Sequence, residues 1–248
     1  MELFACLVLS IISILSLLIG SLIVFSTKNN NKVNRFSLSL GFIVLVLLGI
    51  FHLVPEAYEY FSESASTFKA IIFTISFSIL GFGLIIATDV IGGHHKEKNE
   101  ETHYKHISLI TCAVLVLHNF IEGMTLFATA LTSVETAVIL SLGICLHNIP
   151  LGFTLSSTFD KLYGKSKTIL YITLIGSSYL FGTLLLYKFN NLLLNNLVLG
   201  SFLSLTFGMI VYIALFEFLP LLKKSKDKKT RNIALLLGLI LMLLTLFM

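Results

Sequence analysis

Charge is what this sequence has least of. Only 12% of its 248 residues are Asp, Glu, Lys or Arg, while 56% are hydrophobic; a soluble domain is typically about a quarter charged and about half apolar. That scarcity, with a mean hydropathy of +0.95, excludes an ordinary soluble domain. The few charges gather in short segments and leave apolar runs of about 20 residues, the length that crosses a hydrocarbon core of ~30 Å. No stretch is left for a separate soluble domain. Cysteine is scarce too: Cys6, Cys112 and Cys145 lie within apolar runs, without metal or redox spacing, and read as small buried hydrophobes. They speak for neither a redox state nor a compartment. The chain opens on Glu2 instead of the basic segment that starts a secretory signal peptide, so the first apolar run is expected to be an uncleaved helix. The zinc-protease pattern H-E-x-x-H does not occur around the intramembrane histidines, which excludes that chemistry there.

What is present reads as one all-α polytopic membrane domain, residues 1–248, with eight expected transmembrane helices at about 3–25, 36–57, 68–90, 107–130, 134–159, 168–187, 197–222 and 233–248. An even number of spans puts both termini on one side. Cytoplasmic loops carry the excess of Lys and Arg, and with both termini extracytoplasmic all 17 such residues except Lys69 and Lys188 fall inside. The net charge of +4 therefore calls for no nucleic acid. Spans four and five are joined by only a few residues and must be antiparallel neighbours.

Within those two spans one phrase occurs twice: Leu117-His118-Asn119-Phe120-Ile121-Glu122-Gly123 and Leu146-His147-Asn148-Ile149-Pro150-Leu151-Gly152. His118 and Glu122, four apart, share a helix face. Both histidines fall near the bilayer midplane, and intramembrane polar groups are costly enough to be read first as a functional site. The plainer alternative is interhelical hydrogen bonding, worth about 1 kcal/mol per group. Pro150 removes one backbone hydrogen bond and is expected to break span five, as in helices that bind ions in transporters. A fainter echo joins Phe51-His52-Leu53-Val54-Pro55 to Phe216-Glu217-Phe218-Leu219-Pro220. If spans one to three and six to eight are inverted halves around four and five, a 3+2+3 arrangement, these phrases are partners, with His52 and Glu56 at the outer mouth and Glu217 at the inner one. The polar segment 91–106 holds His94, His95, His103 and His106, with Asp89 at its root. It reads either as a solvated cytoplasmic linker or as a metal acceptor at the exit.

Two imidazoles and a carboxylate suit zinc, and also admit iron, manganese, cobalt and cadmium. Two other classes stay open. A membrane haem protein could use the histidines as axial ligands, though Glu122 and the asparagines would then be costly. A structural scaffold would bind no metal.

HNFIEG, HNIPLG, FHLVPEA and the G-x-x-x-Y-x-x-x-x-E-x-x-P pattern from Gly208 to Pro220 together resemble the ZIP (Zrt/Irt-like) divalent-metal transporters, particularly their GufA-like prokaryotic branch. The resemblance covers the whole chain. It implies a transporter in the cell membrane, not an enzyme, with inward flux, zinc as substrate and no prosthetic group. It also implies His118, Glu122 and His147 as the primary metal ligands, Asn119 and Asn148 between them and an adjoining second site, and Glu217 near the exit. The expected partners are divalent ions and the lipid bilayer, with a homodimer kept open. The sequence departs from the family at Leu151, where a glutamate is usual, and in span six, where Gly176 to Gly182 holds no acid and offers only Tyr179 in its place. A single-ion site beside an asparagine-lined space is therefore expected.

Overall fold

Long apolar runs have one simple way to satisfy their backbone groups in hydrocarbon, which is to hydrogen-bond within the segment as helices. The computed structural model describes residues 2–27, 31–91, 100–224 and 227–246, with the side chains of 89–91, 100–109, 192 and 224 outside the description. All regular elements among them are helical: α1 (Glu2–Ser26), α2 (Asn31–Leu48), α3 (Val54–Ser64), α4 (Thr67–Ile91), α5 (Glu100–Thr132), α6 (Val134–Tyr163), α7 (Lys165–Lys188), the single turn α8 (Asn190–Leu193), α9 (Asn196–Tyr212), α10 (Leu219–Lys224) and α11 (Lys228–Thr245). Seven helical stretches are long and apolar enough to cross a membrane: Glu2–Ser26, Asn31–Ser64, Thr67–Thr88, Ile110–Thr132, Val134–Tyr163, Lys165–Lys188 and Asn196–Lys223. The segment expected as an eighth is the helix α11, which opens on Lys228, Lys229 and Arg231 and is apolar only from Ile233 onward.

Two places differ from the sequence expectation. The polar stretch after span three is not all linker, because α5 begins at Glu100 and takes the backbone of residues 100–106 into its first turns. The irregular helix is also elsewhere. α6 runs through Pro150 as one continuous helix, whereas wide π turns interrupt the second and seventh spans at Gly49–Leu53 and Ile213–Phe218. In the first, the Val54 N–H reaches back five residues to the Gly49 carbonyl; in the second, the Leu219 N–H does the same to Ala214. Pro55 and Pro220 follow directly, and neither can donate to the carbonyl four residues before it. The turn widens where that bond is lost, a common form of helix irregularity at functional sites.

The helices pack in a few extensive pairs: α1 on α6, α5 on α7, α4 on α9 and α2 on α11, with α1 also against α7 and α5 against α6. Lipid gives no hydrophobic drive for such pairing, so contact depends on small residues and hydrogen bonds. Gly123 of α5 faces the Tyr179 backbone of α7, and Gly182 returns the contact onto the Phe120 backbone. The same reciprocal arrangement joins α6 to α1, with Gly152 against Leu17 and Gly20 against Ile149. A Cβ at any of these four positions would collide with a carbonyl oxygen. Hydroxyls add cross-links: Thr183 donates to the Gly123 carbonyl at 3.0 Å, Ser156 to Ser21 at 2.7 Å and Ser37 to Ser157 at 2.7 Å. Outside the spans, Asp227 caps α11 by accepting from Thr230 N at 3.0 Å and Thr230 Oγ1 at 2.7 Å. These bonds hold its carboxyl below the usual aspartate range.

Candidate metal centre

One residue, Ser133, separates α5 from α6, and its hydroxyl caps α6 by accepting from Thr136 N at 3.2 Å. So tight a hairpin fixes depth. His118 lies 15 residues before Ser133 and His147 lies 14 after it, so at ~1.5 Å per residue the two reach the same level in neighbouring helices. The helical repeat then places Glu122 one turn from His118, on the same face. Glu122 lies between the rings. Its Oε1 is 3.1 Å from His147 Nε2 and its Oε2 is 3.3 Å from His118 Nε2. The imidazole centroids are 5.9 Å apart, and one ligand atom from each of the three residues can be chosen so that all lie within 4.8 Å of one another. That separation lets a single ion touch all three.

Burial makes the arrangement unusual. His118 is 0% and His147 3% exposed; each turns its Nε2 to Glu122, at 3.3 and 3.1 Å, and neither Nδ1 has a hydrogen-bond partner among the described residues. Leaving a buried polar atom unpaired costs about 1–3 kcal/mol each. Two such atoms on adjacent rings, with both Nε2 gathered on one carboxylate, are costly to assemble in a packed core without a further ligand.

The remaining expected residues are distributed as follows. Asn119 is buried but turns toward α7, donating from Nδ2 to the Ile175 carbonyl at 3.2 Å. Asn148 donates from Nδ2 to the Tyr179 hydroxyl at 2.9 Å and reaches the Ser13 carbonyl at 3.4 Å. The Tyr179 hydroxyl donates to Glu122 Oε2. The expected asparagine-lined space beside the cluster therefore contains a phenol, and the two amides are engaged with α1 and α7. Leu151 is 2% exposed and belongs to the apolar core.

His52 sits in the first π turn with its ring 6.3 Å from that of His147. Its Nε2 is 2.8 Å from Thr245 Oγ1 of α11. A cavity of about 350 Å³ is lined by His52, Glu56, Glu122, Gly143, His147 and Thr245, among others. A second, of about 490 Å³, is lined by Glu56, Glu59, Glu63, Ser133, Thr136 and Asn196, among others. Glu56 and Thr136 line both. Glu217 is buried, at 6% exposure, in the second π turn and lines neither cavity. His94 and His95 lie outside the described residues, as do the side chains of Asp89, His103 and His106.

Sequence reasoning missed Thr245 and the Ser13 carbonyl. Both come from the chain's outer spans, and nothing local marks them. Tyr179 was visible as the polar residue in a stretch lacking acid, but its bond to Glu122 needed the packing of α7 on α5.

A bundle of apolar helices enclosing two buried imidazoles and a carboxylate defines a class, the multi-pass membrane proteins with a candidate intramembrane cation site. Residues 92–246 match the ZIP zinc transporter family, and the chain belongs to it. It is 27% identical over 232 residues to the zinc transporter ZupT of Streptococcus mutans, spanning 88% of each chain. It is 28% identical over 272 residues to the ZupT of Chlorobium luteolum, spanning 98% of this chain and 97% of that one. In a bacterium such a protein resides in the plasma membrane.

Proposed function

We propose that this chain carries divalent transition-metal ions, foremost zinc, into the cytoplasm, and that His118, Glu122 and His147 hold one ion in passage. The observation that carries this reading is the pair of buried imidazoles that turn their Nε2 atoms to the two oxygens of one carboxylate, at 3.3 and 3.1 Å. Neutral imidazole nitrogen and carboxylate oxygen are the donors zinc takes, and three protein ligands leave a coordination position for water. Incomplete protein ligation suits cargo, which must leave. Iron, manganese, cobalt and cadmium accept the same donors.

The approach runs through the two cavities. Glu59 and Glu63 attract cations to the outer one, Glu56 stands at the junction, and His52 faces His147 across the inner one. Glu217 serves the exit, and the histidines at 94, 95, 103 and 106 receive the ion there, with Asp89 at their root. α11 counts as the eighth span and both termini are extracytoplasmic. The packing favours inverted halves: exchanging α1 with α7, α2 and α3 with α9 and α10, α4 with α11, and α5 with α6 turns the α1 on α6 pair into α7 on α5, and α4 on α9 into α11 on α2. The matched π turns at His52 and Glu217 obey the same exchange.

The test is uptake into proteoliposomes with a panel of divalent ions. Zinc accumulation is expected from the unmodified chain, with His118→Ala, Glu122→Ala and His147→Ala each abolishing it while still inserting. Near-normal flux in any two of the three would place the site elsewhere. A haem protein would show a Soret band, and a scaffold would accumulate no metal.

A further inference from the structure

Tyr179 enters the site from α7 with a side chain that is 0% exposed. Its hydroxyl accepts from Asn148 Nδ2 at 2.9 Å, and Asn148 is steadied in turn by the Ser13 carbonyl at 3.4 Å. A phenol has one proton to give. It goes to Glu122 Oε2, the oxygen that also faces His118 Nε2 at 3.3 Å. Asn148 Oδ1 stands 3.3 Å from the same hydroxyl, a longer contact than the one to Glu122, so the stronger donation ends on the carboxylate between the two histidines.

We infer that the Tyr179 hydroxyl stands where a second cation would sit beside Glu122, restricting the centre to one ion and loosening its hold on that ion. The inference rests on His118, Glu122 and His147 being the transport site. A second ion needs oxygen ligands around it, because hard and borderline divalent cations are held by several donors at once. The neighbouring groups do not supply several: Asn148 presents both its Nδ2, at 2.9 Å, and its one oxygen, Oδ1, at 3.3 Å to the phenol, Asn119 turns its N–H toward the Ile175 carbonyl at 3.2 Å, and Leu151 is apolar. The phenol satisfies the carboxylate with a fraction of an ion's charge. By drawing electron density from Oε2, it also makes Glu122 a weaker ligand for the ion between the histidines. A weaker ligand releases sooner, which raises turnover at the expense of affinity.

Removing the hydroxyl separates this role from simple helix cross-linking. In Tyr179→Phe, zinc binding measured by equilibrium dialysis should tighten by about tenfold, the scale of one hydrogen bond to a charged group. The KM and the maximal rate of uptake should both fall. In Tyr179→Glu a second carboxylate faces Glu122, and bound zinc should rise by one ion per chain. A Tyr179→Phe protein with unchanged affinity and KM and only a reduced rate would overturn the inference, leaving the phenol as a tie between α7 and α5. So would an inserted Tyr179→Glu protein with an unchanged zinc count. If Tyr179→Glu fails to insert, Tyr179→Phe alone decides. Failure of the underlying reading looks different: in protein with His94, His95, His103 and His106 replaced, zinc binding would then survive His147→Ala.

Discussion

At the scale of single residues, the site is two buried imidazoles turned on one carboxylate. His118 and Glu122 were legible because a four-residue spacing puts them on one helix face, and His147 because the phrase around His118 recurs. Asn119 and Asn148 were legible as buried polar groups but not in their direction: both turn to the neighbouring helices α7 and α1. Direction depends on which helix packs where, and a single span carries no such information. His52 was read as part of the outer mouth, and its ring lies 6.3 Å from that of His147, inside the inner cavity. In the proposed role of relay, it should be needed for delivery more than for holding. His52→Ala is therefore expected to raise the KM for uptake several-fold while leaving the zinc affinity of the purified protein within about twofold, a change below 0.5 kcal/mol. Loss of binding on the scale of His147→Ala would make His52 a ligand of the central ion.

Helices tell a different story, because what sequence periodicity hides is how closely they meet. The seven helical stretches long and apolar enough to cross a membrane among the described residues follow apolar runs visible in the sequence, but α5 starts at Glu100, ahead of the expected 107, since a polar helical turn is indistinguishable from a linker by hydropathy. The break expected at Pro150 also falls elsewhere. There the Thr154 hydroxyl donates to the Pro150 carbonyl at 2.9 Å and to the Ser37 carbonyl at 2.7 Å, tying α6 to α2 within a continuous helix. The π turns instead mark His52 and Glu217, two of the three ionisable residues that stand three positions before a proline, the third being His147 in the continuous α6. Gly123 and Gly152, which end the repeated phrases, allow α5 and α6 to approach α7 and α1 backbone to backbone. Their substitution should therefore be felt at the helix interface itself. Gly152→Ala would set a methyl against the Leu17 carbonyl, and overpacking of this kind costs about 1–3 kcal/mol. The unfolding temperature in detergent should drop accordingly; an unchanged temperature would show that α1 and α6 have room to separate.

For the whole molecule, charge and fold point the same way. The sequence places nearly all basic residues in alternate loops, and the structure arranges the spans so that α1, α5, α6 and α7 converge on Glu122 through Ser13, Asn148 and Tyr179. Convergence of four helices from both halves of the chain was not legible beforehand, since it depends on contacts between residues 31, 57 and 135 positions apart. The central claim is that this convergence holds one ion between two imidazoles and one carboxylate. X-ray absorption at the zinc edge tests it most directly, using protein in which His94, His95, His103 and His106 are replaced so that only the intramembrane site is loaded. The expected first shell contains two imidazole nitrogens at about 2.0–2.1 Å together with oxygen from Glu122 and water, and the imidazole signal should disappear in the His118→Ala, His147→Ala double variant. A shell of oxygens alone, or an imidazole signal that survives the double substitution, would contradict the claim.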